Sequence, residues 1–456
     1  MGPRVTCYGG VGEIGGNKFL LEDRGTKVIL DFGKGFAEDS RYYDSRIEPR
    51  AVNGAGDLFE FGLLPELPGL YSEEALQNTG LRHSTPEVDA VVLSHFHSDH
   101  TDRVQYVDPE VPVYCGGAAA LMHESSSETG FSPLKGRKLR TFRTGRNFRV
   151  GPMEFDPIHV DHSIPGAYGF VVHTSEGALV YTGDFRFHGP AGHMTDDFAD
   201  AASASKPSLL ITEGTRVGHA AAKGTSTERD VEVEATRLVR ESSKLVFSSF
   251  RGNDIDRVRT FCAAATASGR RLLVSMKVAS ILDRLKDDPR LRVPRVGKDL
   301  DVYVRRKKTG RLDDRDYYTW ERRYLSAGVP AEEVRRRQTE VFLHLESWNF
   351  PELIDIAPER GGTYIHSATE AFNEEGEREE DLVRNWVDHF GFSYHQLHAS
   401  GHAPAADVKR LVARVGAAKV VPVHTEHPEA FGELLKKERS RVELPTKGRP
   451  VAVALA

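Results

Sequence analysis

The chain reads as an α/β protein of two domains, the first interrupted by the second. Up to about Glu213, short apolar strands alternate with glycine-rich turns, whereas from Ser226 strands alternate with amphipathic helices, the rhythm of a parallel, helix-flanked sheet. At 456 residues the chain also exceeds what one core ordinarily covers. These observations predict a first domain formed by residues 1–214 and 391–456 and an inserted domain at 215–390, with the functional site in the cleft between them.

The elements follow in order. Gly10-Val11-Gly12-Glu13-Ile14-Gly15 fits GxGxxG, and Asp31 lies at the distance of a ribose-binding acid. However, Lys18 to Asp23 and Thr26 to Leu30 read as a hairpin around Arg24-Gly25, so no helix follows and a dinucleotide site is excluded. Met1-Gly2-Pro3-Arg4-Val5-Thr6 fits the myristoylation pattern in form only, since Pro3 and the immediate entry into a strand argue against it. The apolar run Val91-Val92-Leu93 predicts a buried strand that delivers His95-Phe96-His97-Ser98-Asp99-His100. Imidazole and carboxylate are zinc ligands, and alternate residues on an extended segment share a side, so His95 and His97 can grip one ion. Asp99 and His100 face elsewhere and can serve a second ion roughly 3.5–4 Å from the first.

Three further strands each end on a ligand-type residue: His162 after Pro157 to Val160, Asp184 after Ala178 to Gly183, and His424 after Lys419 to Val423. A lone histidine after a strand is more often a packing residue, but the hexapeptide reverses that reading. In the inserted block, helix Ser226 to Ser242 starts behind a Ser/Thr cap and carries Val231, Ala235, Leu238 and Val239 on one face. Strand Leu245 to Phe247, helix Ile255 to Ala267, strand Leu272 to Val274, helix Val278 to Leu285, strand Tyr364-Ile365 and helix Glu379 to His389 follow. Ser248-Ser249-Phe250-Arg251-Gly252-Asn253 falls where a strand passes into a helix, a place where backbone N–H groups favour phosphate.

Composition describes a soluble globular chain, with 39% hydrophobic and 28% charged residues and no apolar run of membrane length. The N-terminus lacks a secretory signal and Cys7, Cys115 and Cys262 are too scattered for a disulfide framework, so a cytoplasmic location is expected. A net charge of -6 does not exclude a nucleic-acid partner, because two zinc ions would add about four positive charges at the site. Basic clusters stand at Arg137 to Arg143, Arg305 to Lys308 and Arg335 to Arg337, each readable as a solvated face.

Asp31 in Ile29-Leu30-Asp31-Phe32-Gly33, the HxHxDH segment, His162 in Asp161-His162-Ser163 and Asp184 in Thr182-Gly183-Asp184-Phe185 resemble the successive motifs of the metallo-β-lactamase fold. Glu213 in Ile211-Thr212-Glu213-Gly214-Thr215, His402 in His398-Ala399-Ser400-Gly401-His402 and His424 in Pro422-Val423-His424-Thr425-Glu426 resemble the three extra motifs of its β-CASP branch. Within that branch the chain looks most like ribonuclease J and its compact archaeal relatives.

The resemblance implies an αββα sandwich with an inserted β-CASP domain. It implies that His95, His97 and His162 hold one zinc, that Asp99, His100 and His424 hold the other, and that Asp184 bridges them, with manganese as a possible substitute. Asp31 would orient ligands, and His402 assisted by Glu213 would act as general acid. The chain departs from the family at Asp102 and Gly252, where glycine and serine are usual. The family further implies a 5′-phosphate pocket at Ser248, Ser249, Arg251 and Asn253, with His398 and Ser400 near the scissile phosphate. A histidine at position 424 favours RNA over DNA.

The expected activity is zinc-dependent 5′-to-3′ exoribonuclease action on single-stranded RNA with a 5′-monophosphate, leaving 5′-mononucleotides, and a homodimer is expected. An endoribonuclease of RNA end processing is the alternative within the branch. A two-zinc hydrolase of small esters or thioesters, or an RNA-binding subunit without turnover, stand as alternatives from other classes.

Overall fold

The computed structural model of the protein describes residues 2–453 apart from 45, 131, 135, 220–226, 369–373 and 439. Two seven-stranded sheets lie face to face. In spatial order the first contains Pro450–Ala452, Arg4–Gly9, Lys18–Asp23, Thr26–Phe32, Ala90–Val92, Val113–Gly116 and Leu139–Phe142. The second contains Arg441–Val442, Lys419–Val423, Leu209–Glu213, Gly177–Tyr181, Tyr168–Thr174, Met153–His159 and Phe148–Val150.

Strand alternation explains how both faces are covered. Val28 and Leu30 point into the core between the sheets with Phe155, Phe170, Leu179 and Ile211, while Ile29 on the opposite face packs with Phe32, Leu58 and Val104. The outer face of the second sheet packs on helices Gly192–Ala204 and Ala405–Val415 through Phe198, Val408 and Leu411. The layers therefore run helix, sheet, sheet, helix, as the αββα expectation holds. The expected hairpin is present, with Arg24 and Gly25 both at positive φ (48° and 88°), the geometry of a two-residue turn that matches strand twist.

A third sheet of six strands, all parallel, runs Asp301–Tyr303, Arg271–Ser275, Val341–His344, Val246–Ser249, Thr363–His366 and Ser393–Gln396. Helix Ile255–Ala267 has the bounds that its sequence pattern predicts, and Asp254 caps it by accepting from Arg257 N. Helix Glu228–Glu241 is capped by Thr227, while the expected start at Ser226 lies outside the described residues. The expected boundary at 390 needs correction. Strand Ser393–Gln396 pairs with Thr363–His366, so the chain leaves the third sheet only after Gln396. Its polar, half-exposed pattern is that of an edge strand, which hydrophobic periodicity misses. Among the described residues no helix is long and apolar enough to cross a membrane.

Candidate metal centre

Six strands carry the candidate residues, and in each sheet they run the same way. Thr26–Phe32 and Ala90–Val92 are parallel, as are Gly177–Tyr181, Leu209–Glu213 and Lys419–Val423, and Met153–His159 shares their direction because both it and Gly177–Tyr181 are antiparallel to Tyr168–Thr174. Their C-terminal ends therefore meet at one edge of the sandwich, which gathers residues from 31 to 424 into one place.

Ring nitrogens converge there. His95 Nε2 lies 2.9 Å from His97 Nδ1, which lies 3.2 Å from His162 Nε2. Beside them His100 Nε2 is 3.1 Å and His424 Nε2 3.6 Å from Asp184 Oδ2, and His424 Nε2 is 3.0 Å from Asp99 Oδ2. The same Asp184 oxygen is 3.7 Å from His95 Nε2 and 4.0 Å from His162 Nε2, so this carboxylate stands between the two groups. The site is buried, with His95, His100 and His424 at most 1% exposed.

The far ring nitrogens are occupied by the chain itself. His162 Nδ1–H donates to Gly401 O (2.6 Å) and His100 Nδ1–H to Asp31 Oδ2 (2.8 Å), while Thr215 Oγ1 stands 2.8 Å from His424 Nδ1. Such contacts fix the ring orientation and leave Nε2 for a ligand. Burial holds His95 and His162 neutral and pushes His97 down to about 4, the protonation state that a metal ligand needs. Burial also opposes ionisation of Asp99 and Asp184, but the neighbouring His100 and His424 hold both carboxyls well below the usual range. Two groups, His95–His97–His162 and Asp99–His100–Asp184–His424, could each hold a metal ion. The donor set fits a pair of divalent ions: His95, His97 and His162 are neutral and Asp99 and Asp184 ionised, while the protons that these carboxylates favour on His100 and His424 are the ones a bound cation would displace.

Glu213 and His402 form a second pair at the same edge. Glu213 accepts from Phe185 N (2.9 Å) and from the Thr215 hydroxyl (2.6 Å), and its Oε2 lies 3.0 Å from His402 Nδ1. Burial alone would keep His402 neutral, yet Glu213 and Asp184 outweigh it and lift the ring to about 9. Two residues hold strained backbones: Asp31 (φ 54°) and His424 (φ 51°) adopt the left-handed region that side chains rarely occupy.

The remaining candidates are placed less openly. Ser248 is fully buried and the Ser249 hydroxyl bonds Tyr364 Oη, which corrects the expectation that both face a phosphate. The cause is the sheet: both residues belong to a central strand covered on both faces. Gly252 N donates to Glu346 Oε1 (3.3 Å), so a carboxylate already takes that amide. Arg251 is exposed and its charge reaches His97, and Asn253 is half-buried. His398 is half-buried with both ring nitrogens shielded from solvent, and burial pushes it down to about 3 against the raising effect of the Ser367 backbone. Ser400 Oγ accepts from His402 N (3.1 Å), while its carbonyl accepts from Arg186 Nη1 (3.1 Å) and His188 Nε2 (2.9 Å).

Several contributors escaped the sequence reading. Tyr181 Oη (2.6 Å) and Ser94 N (2.7 Å) both donate to Asp31, and Thr215 links Glu213 to His424. Thr215 and Tyr181 stand in or beside quoted motifs and so carried a signal. Arg186 and Arg257, each fully buried, carried none.

The family of the Beta-lactamase superfamily domain matches residues 66–242, and that of the Zn-dependent metallo-hydrolase RNA specificity domain matches residues 393–445. Among curated proteins, ribonuclease J of Mycobacterium tuberculosis is 28% identical over 279 residues, covering 59% of this chain and 44% of that protein. Ribonuclease J of Sinorhizobium meliloti is 25% identical over 387 residues, 81% of this chain and 64% of that protein. The chain thus spans less than two thirds of either relative's length. A crystal structure of a protein of unknown function from Enterococcus faecalis covers 99% of this chain and 100% of its own at a TM-score of 0.77 and 19% identity, a likeness of fold. The chain thus carries a β-lactamase superfamily domain together with an RNA specificity domain of Zn-dependent metallo-hydrolases, the pair that its resemblance to the β-CASP branch implies.

Proposed function

We propose that the protein is a zinc-dependent ribonuclease that hydrolyses single-stranded RNA from a 5′-monophosphate end and releases 5′-mononucleotides. One observation carries the reading: a buried carboxylate, Asp184, stands between two imidazole-rich ligand groups with the Glu213–His402 pair beside it. The match to an RNA specificity domain and the ribonuclease J relatives support RNA as the substrate.

In this reading His95, His97 and His162 hold one ion, Asp99, His100 and His424 the other, and Asp184 both. Zinc, or manganese in its place, supplies Lewis acidity at the phosphoryl group and lowers the pKa of a water. Asp31 orients His100, and His424 is steadied by Thr215. Held by Glu213 at Nδ1, His402 keeps a proton and presents its other ring nitrogen, which delivers that proton to the departing 3′-oxygen. Arg251, exposed beside His97, supplies positive charge for the RNA backbone, with Asn253, His398 and Ser400 nearby in the chain. The inserted unit is the cap over this centre, and the protein acts in the cytoplasm, where its buried free cysteines suit a reducing milieu; homodimer formation is part of the same reading.

Cleavage of 5′-labelled RNA bearing a 5′-monophosphate, 5′-hydroxyl or 5′-triphosphate tests this, with Asp184→Ala as control. Release of labelled mononucleotide from the monophosphate form alone is expected. Glu346 on the Gly252 amide favours a second reading, an endonuclease indifferent to the 5′ end, and internal fragments from all three RNAs would establish it. No cleavage with zinc or manganese would refute the RNA reading and turn attention to small esters and thioesters.

A further inference from the structure

Two loops leave the metal centre side by side. Strands Leu209–Glu213 and Lys419–Val423 are paired in parallel with Glu213 opposite Val423. The loop after the first carries Thr215, and the loop after the second begins at His424. A few residues further on, the same loops meet again: His219 from one, Glu426 and His427 from the other, with a ligand atom of each within 4.8 Å of the others.

The details favour convergence on a ligand. His219 Nε2 lies 3.6 Å from Glu426 Oε2, and this ring nitrogen is buried and without a hydrogen-bond partner among the described residues. The His219 and His427 rings meet edge to face at 5.0 Å. His427 Nδ1 lies 3.4 Å from Glu429 Oε1, a carboxylate neighbour of the kind that fixes a ligating imidazole and frees its other nitrogen. Gly218 makes the approach possible: it turns at φ +88°, and a Cβ there would stand 2.5 Å from His427 Cβ. The three side chains are 33%, 44% and 42% exposed, which leaves room for water at the remaining coordination positions.

We propose that His219, Glu426 and His427 form a third site for a divalent transition-metal ion, separate from the Asp184 centre, that clips these two loops together. Two imidazoles and one carboxylate suit zinc, iron or manganese and not calcium or magnesium, which take oxygen ligands. The Thr215–His424 contact lies between the clip and the strands, so an ion here would hold that contact in place.

Equilibrium dialysis of the metal-stripped full chain against micromolar Zn2+, with the bound zinc counted by mass spectrometry, tests the site without reference to activity. His219→Ala/His427→Ala should bind one ion fewer than the wild-type chain, and so should the nearly isosteric Glu426→Gln, with circular dichroism confirming the fold of each. The His95→Ala/His97→Ala variant should still lose one further ion when His219→Ala/His427→Ala is added. Equal zinc counts with and without the His219 and His427 substitutions, in either background, would overturn the proposal whatever the centre itself binds.

Discussion

Replacing Arg257 with methionine should cost about 3–5 kcal/mol, the typical penalty for removing one partner of a buried ion pair. Its guanidinium is fully buried and donates to Glu228 Oε1 (2.9 Å) and Oε2 (3.4 Å), to the Ser367 hydroxyl, and to the carbonyls of Leu397 (3.4 Å) and Ala399 (3.5 Å). Without it Glu228 keeps, among the described residues, Arg186 Nη1 at 3.4 Å and the Thr260 hydroxyl at 3.2 Å, so a carboxylate that is 4% exposed is left undercompensated. The loss is large against a domain stability of about 5–15 kcal/mol. Urea unfolding followed by tryptophan fluorescence reads it in the right place, since Trp320, Trp348 and Trp386 all lie in the stretch that forms the third sheet and its helices. Adding Glu228→Gln removes the stranded charge and should recover about 1–3 kcal/mol, a coupling of the size contacting residues show. Hydrolysis should fall before the fold is lost, because the freed carbonyls belong to the 397–402 loop that carries His402. A single-variant loss below about 1 kcal/mol, or a double variant no better than the sum of the two, would refute the reasoning.

Two other outcomes follow. Burial pushes His344 down to about 4 from 6.5, so its folded value lies below its unfolded one; the stability of its neutral ring is full above about pH 6.5 and lost as pH falls through about 4, at most about 3 kcal/mol. His344→Gln should flatten that part of the urea-stability profile, and an unchanged acid slope would contradict the assignment. Gly33→Ala would place a Cβ 1.7 Å from Asp99 O and 2.4 Å from His100 N, backbone atoms that cannot swing away. It should cost about 1–3 kcal/mol and reduce bound zinc, and a variant with wild-type melting temperature and zinc content would show that the backbone yields.

Much of this was legible in the chain because it depends on local chemistry. The hexapeptide advertises itself through crowded ligand types after an apolar run, and the hairpin around Arg24-Gly25 through strand pattern and turn. The parallel, helix-flanked sheet follows from strand and helix periods at Leu245 to Phe247, Leu272 to Val274 and Tyr364-Ile365, whereas Asp301–Tyr303, Val341–His344 and the polar edge strand Ser393–Gln396 escaped. Ser248 and Ser249 misled because a strand-to-helix junction looks the same in sequence whether its side chains face a cleft or a core.

The sequence by itself determined which residue types can bind metal, where strands end on them, and that a helix-flanked sheet interrupts the first domain. Only the tertiary structure decided that Asp184 stands between the two histidine groups, that Glu213 holds His402, that Arg186 and Arg257 are buried anchors, and that His219 meets His427. Periodicity and ligand type are properties of neighbours along the chain. Distance across more than two hundred residues, and the burial that sets charge and protonation, exist only once the strand ends are gathered at one edge.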